Sequence, residues 1–217
     1  MNKVFLFVGL FVFPLYGIWM APQKEYGLKV PYSLGSLCKL SNAIVIGEVK
    51  SIKNRMRKKD PWGMESIVKI RIWEDIKGYW KDTVVYVQSV WGPSFTTGET
   101  VLVFLQDSVM YAQYMTRGKS CPWMRGDTMG VTGWELGKFR IISDTVRFEQ
   151  YGAGKFGVPL DIARKVIRSA IKYPRVVNLK IDTIYEEAMK MLETKSVSKV
   201  RDWVYSELEK IGELSEE

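Results

Sequence analysis

The segment Ser41-Asn42-Ala43-Ile44-Val45-Ile46-Gly47-Glu48-Val49 decides the fold that this sequence predicts. After two polar residues it is apolar and largely β-branched, which is typical of a buried β-strand. Gly47 interrupts the run and permits strong curvature of the strand. The sequence therefore predicts that the strands of a β-domain begin at Ala43.

Further strands follow at short intervals. Ile67 to Ile72 alternates between apolar and basic residues, which predicts a strand with one buried face. Polar turns separate it from four more predicted strands, at Thr83–Val90, Val101–Leu105, Met110–Met115 and Trp134–Ile142. Several short strands with no helix between them favour a small closed antiparallel barrel, because closure hides strand edges.

The pattern changes from strands to helices after Gly157. Pro159 to Lys172 has apolar residues at helical spacing, and Pro174 is expected to end this helix. Thr183 to Glu186 reads as a capping box that opens a second helix. Ser198 is the predicted cap of a third helix, whose apolar side is formed by Val200, Val204, Leu208 and Ile211.

The first twenty residues have the pattern of a secretory signal. A single lysine, Lys3, precedes an apolar run from Val4 to Met20. We expect an exported protein that is periplasmic, extracellular or envelope-anchored, with an uncleaved N-terminal anchor as the alternative to cleavage. The predicted organisation is a signal (1–20), a leader (21–36), a β-barrel (37–150), a glycine-rich hinge (151–158) and a helical region (159–217).

Composition limits the chemistry that the protein can perform. The chain carries a formal net charge of +8 and contains no histidine, which excludes Ser–His and Cys–His catalysis. No spacing among the carboxylates of the β-region singles out an acid–base pair. Gly152–Gly157 matches a dinucleotide fingerprint but lacks the parallel βαβ context, so we interpret it as a hinge. We predict a protein that is not an enzyme and has no cofactor or metal.

Two cysteines, Cys38 and Cys121, occur in the chain. In an oxidising compartment an even number of cysteines favours a disulfide. We therefore predict a Cys38–Cys121 bridge, with two buried thiols as the alternative.

Basic and aromatic residues in the predicted loops are the candidate binding residues. The basic cluster between the first two strands and the nearby aromatic residues could together hold a charged or protein ligand. The alternatives are a solvated hairpin tip for the cluster and end plugs of a small barrel for the aromatics. The candidates are Lys53, Arg55, Arg57, Lys58, Lys59, Trp62, Trp91, Phe95 and Trp123.

Four elements of the β-region resemble exported bacterial and archaeal domains related to the TIMP/netrin-like OB barrels. They are Ser41–Val49, Ile76–Gly78, Phe95–Leu105 and Gly133–Ile141. The resemblance extends over about Leu37 to Ile142, and it implies a five-stranded OB-like barrel without implying an activity. Eukaryotic members inhibit metalloproteinases through an N-terminal cysteine, whereas Cys38 lies well inside the mature chain whether cleavage occurs at Gly17 or at Ala21.

Two functions are consistent with these patterns. The first is a non-enzymatic module that binds an envelope or extracellular protein, with proteases as one class of partner. The second is salt-sensitive binding to an anionic polymer or membrane surface through Lys53–Lys59 and the basic helix Arg164–Lys172. Export disfavours nucleic acid as a partner. The sequence leaves the oligomeric state open.

Overall fold

The computed structural model describes residues 33–56, 64–78, 83–90, 94–109, 128–133, 137–147 and 157–216. The predicted signal, most of the leader, the strand at Met110–Met115 and the hinge residues 151–156 lie outside these ranges. The strands are β1 Ala43–Met56, β2 Met64–Lys77, β3 Val84–Val90, β4 Thr100–Gln106, β5 Gly130–Val131, β6 Lys138–Ile142, β7 Thr145–Arg147 and β8 Val158–Pro159. The helices are α1 Leu34–Leu40, α2 Leu160–Lys172, α3 Pro174–Leu192 and α4 Val197–Glu213.

The chain divides into two compact units. One unit is Leu40–Ile141, and the other combines the residues before and after it. Helix α1 therefore belongs with the C-terminal helices. Within the part of the chain that the structure describes, no helix is both long enough and apolar enough to cross a membrane.

The first unit contains an antiparallel sheet with the strand order β3-β2-β1-β4-β6. Strand β5 lies off this path and pairs with β4. The prediction of a mixed fold with a mainly antiparallel sheet is confirmed. Among the described residues the sheet does not close into a barrel, since β3 meets the β5 segment only through an isolated parallel bridge between Val87 and Met129.

The first two strands are longer than the sequence predicts and are bent. Each has 14 residues, and their pairing shifts register at three places, one of them between Ile46 and Gly47. A Cβ atom at Gly47 would collide with the carbonyl oxygen of Arg71 on the neighbouring strand. The glycine is thus needed for the close approach of β1 to β2.

Apolar side chains from β1 to β5 form one core. The predicted alternation is confirmed, because Val68 and Ile70 of β2 and Val85 and Val87 of β3 are buried. Ile52, Ile72 and Phe95 pack against this core. The core consists of Ala43, Val45, Val49, Val68, Ile70, Val85, Val87, Val101, Val103, Leu105, Met129 and Val131.

The second unit has its own apolar core between helices. The predicted first helix is confirmed as α2, which ends at Lys172 just before Pro174. Its Ser169 donates a hydrogen bond to the carbonyl oxygen of Gly212 at 3.0 Å. The predicted apolar side of the third helix is also confirmed, because Val200, Val204, Leu208 and Ile211 of α4 are all buried.

Two predicted helix starts are wrong. The second helix begins at Pro174 instead of Thr183, because a proline in the first turn loses no helical hydrogen bond. Thr183 is in the middle of α3, where its hydroxyl donates to the carbonyl oxygen of Leu179 at 3.0 Å. The N-cap of α4 is Ser196 instead of Ser198, and its carbonyl accepts a hydrogen bond from Val200 N–H at 3.1 Å.

Candidate functional site

One face of strands β2 and β3 carries large side chains that remain exposed. Trp73 of β2 is 56% exposed and Tyr86 of β3 is 41% exposed. Lys69 and Arg71 lie on the side of β2 opposite the buried Val68 and Ile70, and Trp73 follows them along the strand at a shift in the pairing of β1 with β2. We call Lys69, Arg71, Trp73 and Tyr86 the open face.

The strand register brings these residues side by side. Lys69 lies directly opposite Tyr86, and Arg71 lies opposite Val84, which makes Arg71 a diagonal neighbour of Tyr86. Lys69 to Trp73 extends over about 13 Å at the usual rise of a strand. The open face is therefore an aromatic and basic surface on two paired strands.

The adjacent part of β1 adds one acidic and one basic residue. Glu48 lies opposite Arg71, and its carboxylate accepts a hydrogen bond from Lys50 Nζ at 2.6 Å. Lys50 partly neutralises Glu48, so the face keeps an excess of positive charge.

The predicted basic cluster is described only in part. Lys53 is exposed on β1, and its neighbour Asn54 accepts a hydrogen bond from the Ser66 hydroxyl at 2.7 Å. Arg55 lies opposite Glu65 in the register of β1 and β2, and only its backbone is described. Arg57, Lys58, Lys59 and Trp62 lie outside the described residues, so the cluster stays a prediction.

The predicted aromatic anchors have different outcomes. Phe95 is partly buried and packs against the sheet core, with its ring centroid 4.7 Å from Lys138 Nζ. Phe95 therefore takes part in the packing of the sheet unit, and its role as a binding residue stays a prediction. Trp91 and Trp123 lie outside the described residues.

A buried ion pair, which the sequence analysis missed, lies beside Phe95. Lys138 Nζ is 2.7 Å from Glu99, and it also donates to the carbonyl oxygen of Ser94 at 2.5 Å. Glu99 accepts the backbone N–H of Thr96 at 2.8 Å, and Arg140 Nε is 3.8 Å from its second oxygen. These contacts fix the turn before β4 onto β6, which is a structural task. The Gly98-Glu99 turn was the available sequence signal for this ion pair. Its basic partners, Lys138 and Arg140, are about 40 residues away in sequence, so the turn alone did not identify them.

The described residues contain little that could support metal chemistry. Among them, no group of three or more Cys, Asp or Glu side chains is arranged to hold a metal ion. The geometry that the structure does provide is an exposed surface suited to binding.

Cys38 is buried in helix α1. Its Sγ atom lies 3.9 Å from the carbonyl oxygen of Ile167 in helix α2, within reach of a weak thiol hydrogen bond. No disulfide is seen among the residues that the structure describes. Cys121 lies outside them, so the Cys38–Cys121 bridge stays a prediction.

Comparisons with protein families and with curated proteins found no match to this chain. The structure therefore defines the fold class of this protein. In its described residues it is a mixed α/β chain with a mainly antiparallel sheet and the open face.

Proposed function

We propose that this chain is an exported, non-enzymatic module on a five-stranded OB-like barrel of the TIMP-like kind, and that it binds an envelope or extracellular protein through the open face. The single observation that carries this proposal is the exposure of Trp73 and Tyr86 beside Lys69 and Arg71 on two paired strands. Proteases are one class of partner that the family resemblance suggests.

The strand pairing supports the OB-like part of the proposal. Strand β1 pairs with both β2 and β4, and β5 pairs with β4. The isolated bridge from Val87 to Met129 has the position that a closing contact between the third and fifth strands requires. OB barrels bind their ligands on the face of strands 2 and 3, which is where the open face lies.

The residue types of the open face support a protein partner. Tryptophan, tyrosine and arginine dominate the energetic hot spots of protein interfaces. An aromatic side chain on a strand loses little conformational entropy on binding, and it buries a large area. Trp73, Arg71 and Tyr86 supply one of each type within a small area.

The test is a crosslinking pull-down from an envelope fraction with the full chain, at low and at high salt. We expect one protein to be recovered at both salt concentrations. The variant Trp73→Ala/Tyr86→Ala should reduce its recovery at least about tenfold, because truncating two hot-spot residues costs several kcal/mol. The matched control is Val109→Ala, which truncates an exposed apolar side chain of the same unit away from the open face. Undiminished recovery with the double variant would refute the proposal.

The second candidate function is binding of an anionic polymer, which the exposed Lys53 next to the basic run of residues 55–59 favours. Electrostatic binding must weaken steeply as salt increases. This function would be selected over the first if polymer is recovered at low salt alone, and if this recovery is abolished by Lys53→Glu/Arg55→Glu and unchanged by Trp73→Ala.

A further inference from the structure

The start of helix α3 exposes a second group of apolar side chains, in the other unit of the chain. Tyr173, Val176 and Leu179 are 43%, 44% and 68% exposed. Val176 and Leu179 are three residues apart on α3 and therefore lie on one side of it, and Tyr173 is the N-cap residue just before the helix. The buried side of α3 is formed by other residues, among them Val177 and Ile181.

The same region is strongly basic. Residues 162–181 contain six lysines and arginines and no aspartate or glutamate. Arg175 and Lys180 flank the apolar side chains on α3, and both are exposed. We call Tyr173, Arg175, Val176, Leu179 and Lys180 the basic–apolar corner.

We propose that the basic–apolar corner rests on an anionic lipid membrane. The cations are attracted to lipid phosphates, while Val176 and Leu179 enter the boundary between headgroups and acyl chains. Tyrosine suits this boundary, because its ring is apolar and its hydroxyl is polar. A soluble anionic polymer offers no apolar layer for Leu179, and this difference favours lipid. The proposal is independent of the protein partner of the open face.

The test places an environment-sensitive dye on the full chain through Leu179→Cys. Labelling of the wild-type chain measures the background from its own cysteines, and Glu209→Cys on α4 is the matched exposed control. Vesicles contain phosphatidylcholine alone or mixed with phosphatidylglycerol. The dye reports on the surroundings of residue 179 itself, so attachment of another part of the chain to the vesicle does not imitate the signal.

We expect the dye at residue 179 to move into an apolar environment on phosphatidylglycerol vesicles only, with no change at residue 209. Adding Arg175→Glu/Lys180→Glu should weaken this partitioning at least about 25-fold, since each cation near the surface contributes about 1 kcal/mol. The proposal is overturned if no vesicle changes the dye, or if both positions respond equally. It is also overturned if the change occurs without vesicles and grows with protein concentration, because a second copy of the chain then covers the corner.

Discussion

Replacing Glu99 with glutamine tests whether the buried ion pair holds the sheet unit together. The Glu99 side chain is 2% exposed and that of Lys138 is 8% exposed. Glutamine keeps the shape of the side chain and removes its charge. The Lys138 ammonium would then remain buried with only the Ser94 carbonyl and the Phe95 ring as described neighbours.

We expect Glu99→Gln to lower the free energy of unfolding by about 3 kcal/mol. Removing one partner of a buried pair typically costs 3–5 kcal/mol, because an uncompensated charge stays in the interior. The lower end of this range applies here, since the glutamine oxygen can still accept the Thr96 N–H, and Lys138 keeps Ser94. The measurement is urea unfolding followed by tryptophan fluorescence, with an unchanged dependence on urea as the sign that the unfolded state is the same.

The control is Glu48→Gln. The Glu48–Lys50 pair has nearly the same length, 2.6 Å, but its side chains are 26% and 38% exposed. Surface pairs contribute about 0–1 kcal/mol, so this variant should unfold almost like the wild type. The second variant, Glu99→Gln/Lys138→Met, should regain much of the loss, because it removes the buried charge. Equal effects of Glu99→Gln and Glu48→Gln would refute the reasoning that burial sets the cost.

Three further predictions concern single residues. Tyr205→Phe should lower the free energy of unfolding by about 1 kcal/mol, since the hydroxyl donates to the Gly157 carbonyl at 2.6 Å. Burial raises the pKa of Tyr205, so the difference in stability between the wild type and this variant should shrink as the pH rises above 10.0 in alkaline unfolding curves. Burial and the nearby Glu186 raise the pKa of Asp182 above 3.8. The wild type should therefore lose stability relative to Asp182→Asn as the pH rises from 3.8 through the folded-state pKa, by less than about 0.5 kcal/mol at this surface position. Thermal melting at several pH values measures this loss, and a difference between the two proteins that does not change with pH would contradict it. Gly47→Ala should cost about 1–3 kcal/mol in urea unfolding, because its methyl group meets the Arg71 backbone, and a neutral effect would show that β1 and β2 can separate there.

The elements that the sequence predicts correctly are those with a strong local period. A regular period is enough to define one face of a strand or a helix. The predicted faces are buried in both cases, at Val68 and Ile70 in the strand and from Val200 to Ile211 in the helix. The start of α3 was wrong for a local reason. Pro174 is compatible both with the end of one helix and with the first turn of the next, and the pattern does not distinguish them.

The candidate site was predictable only in part. The alternation in β2 and β3 already places Lys69, Arg71 and Tyr86 on the polar side of their strands. Alternation does not show which strands are neighbours or how their residues are paired. The pairing of β2 with β3 is what brings Lys69 opposite Tyr86. The predicted site was instead assembled from residues close in sequence, such as the basic cluster Lys53 to Lys59. The Glu99–Lys138 pair depends on a contact between distant segments, and the Gly98-Glu99 turn alone does not indicate which basic residue lies beside it.

Burial along the strands explains why an open face lies on β2 and β3 and not elsewhere in the described sheet. Six of the seven residues of β4 are buried, so both of its faces are covered. A strand covered on both sides reads as a continuous apolar run, whereas a strand with one covered side alternates. In β2 the alternation leaves Lys69 and Arg71 on the side opposite the buried Val68 and Ile70, and Tyr86 of β3 lies beside Lys69. Phe95 packs against the sheet core, whereas Trp73 keeps 56% of its surface exposed, so most of its area is not used in packing within the described part of the unit. This exposed area is the part of the open face that the proposed partner would cover.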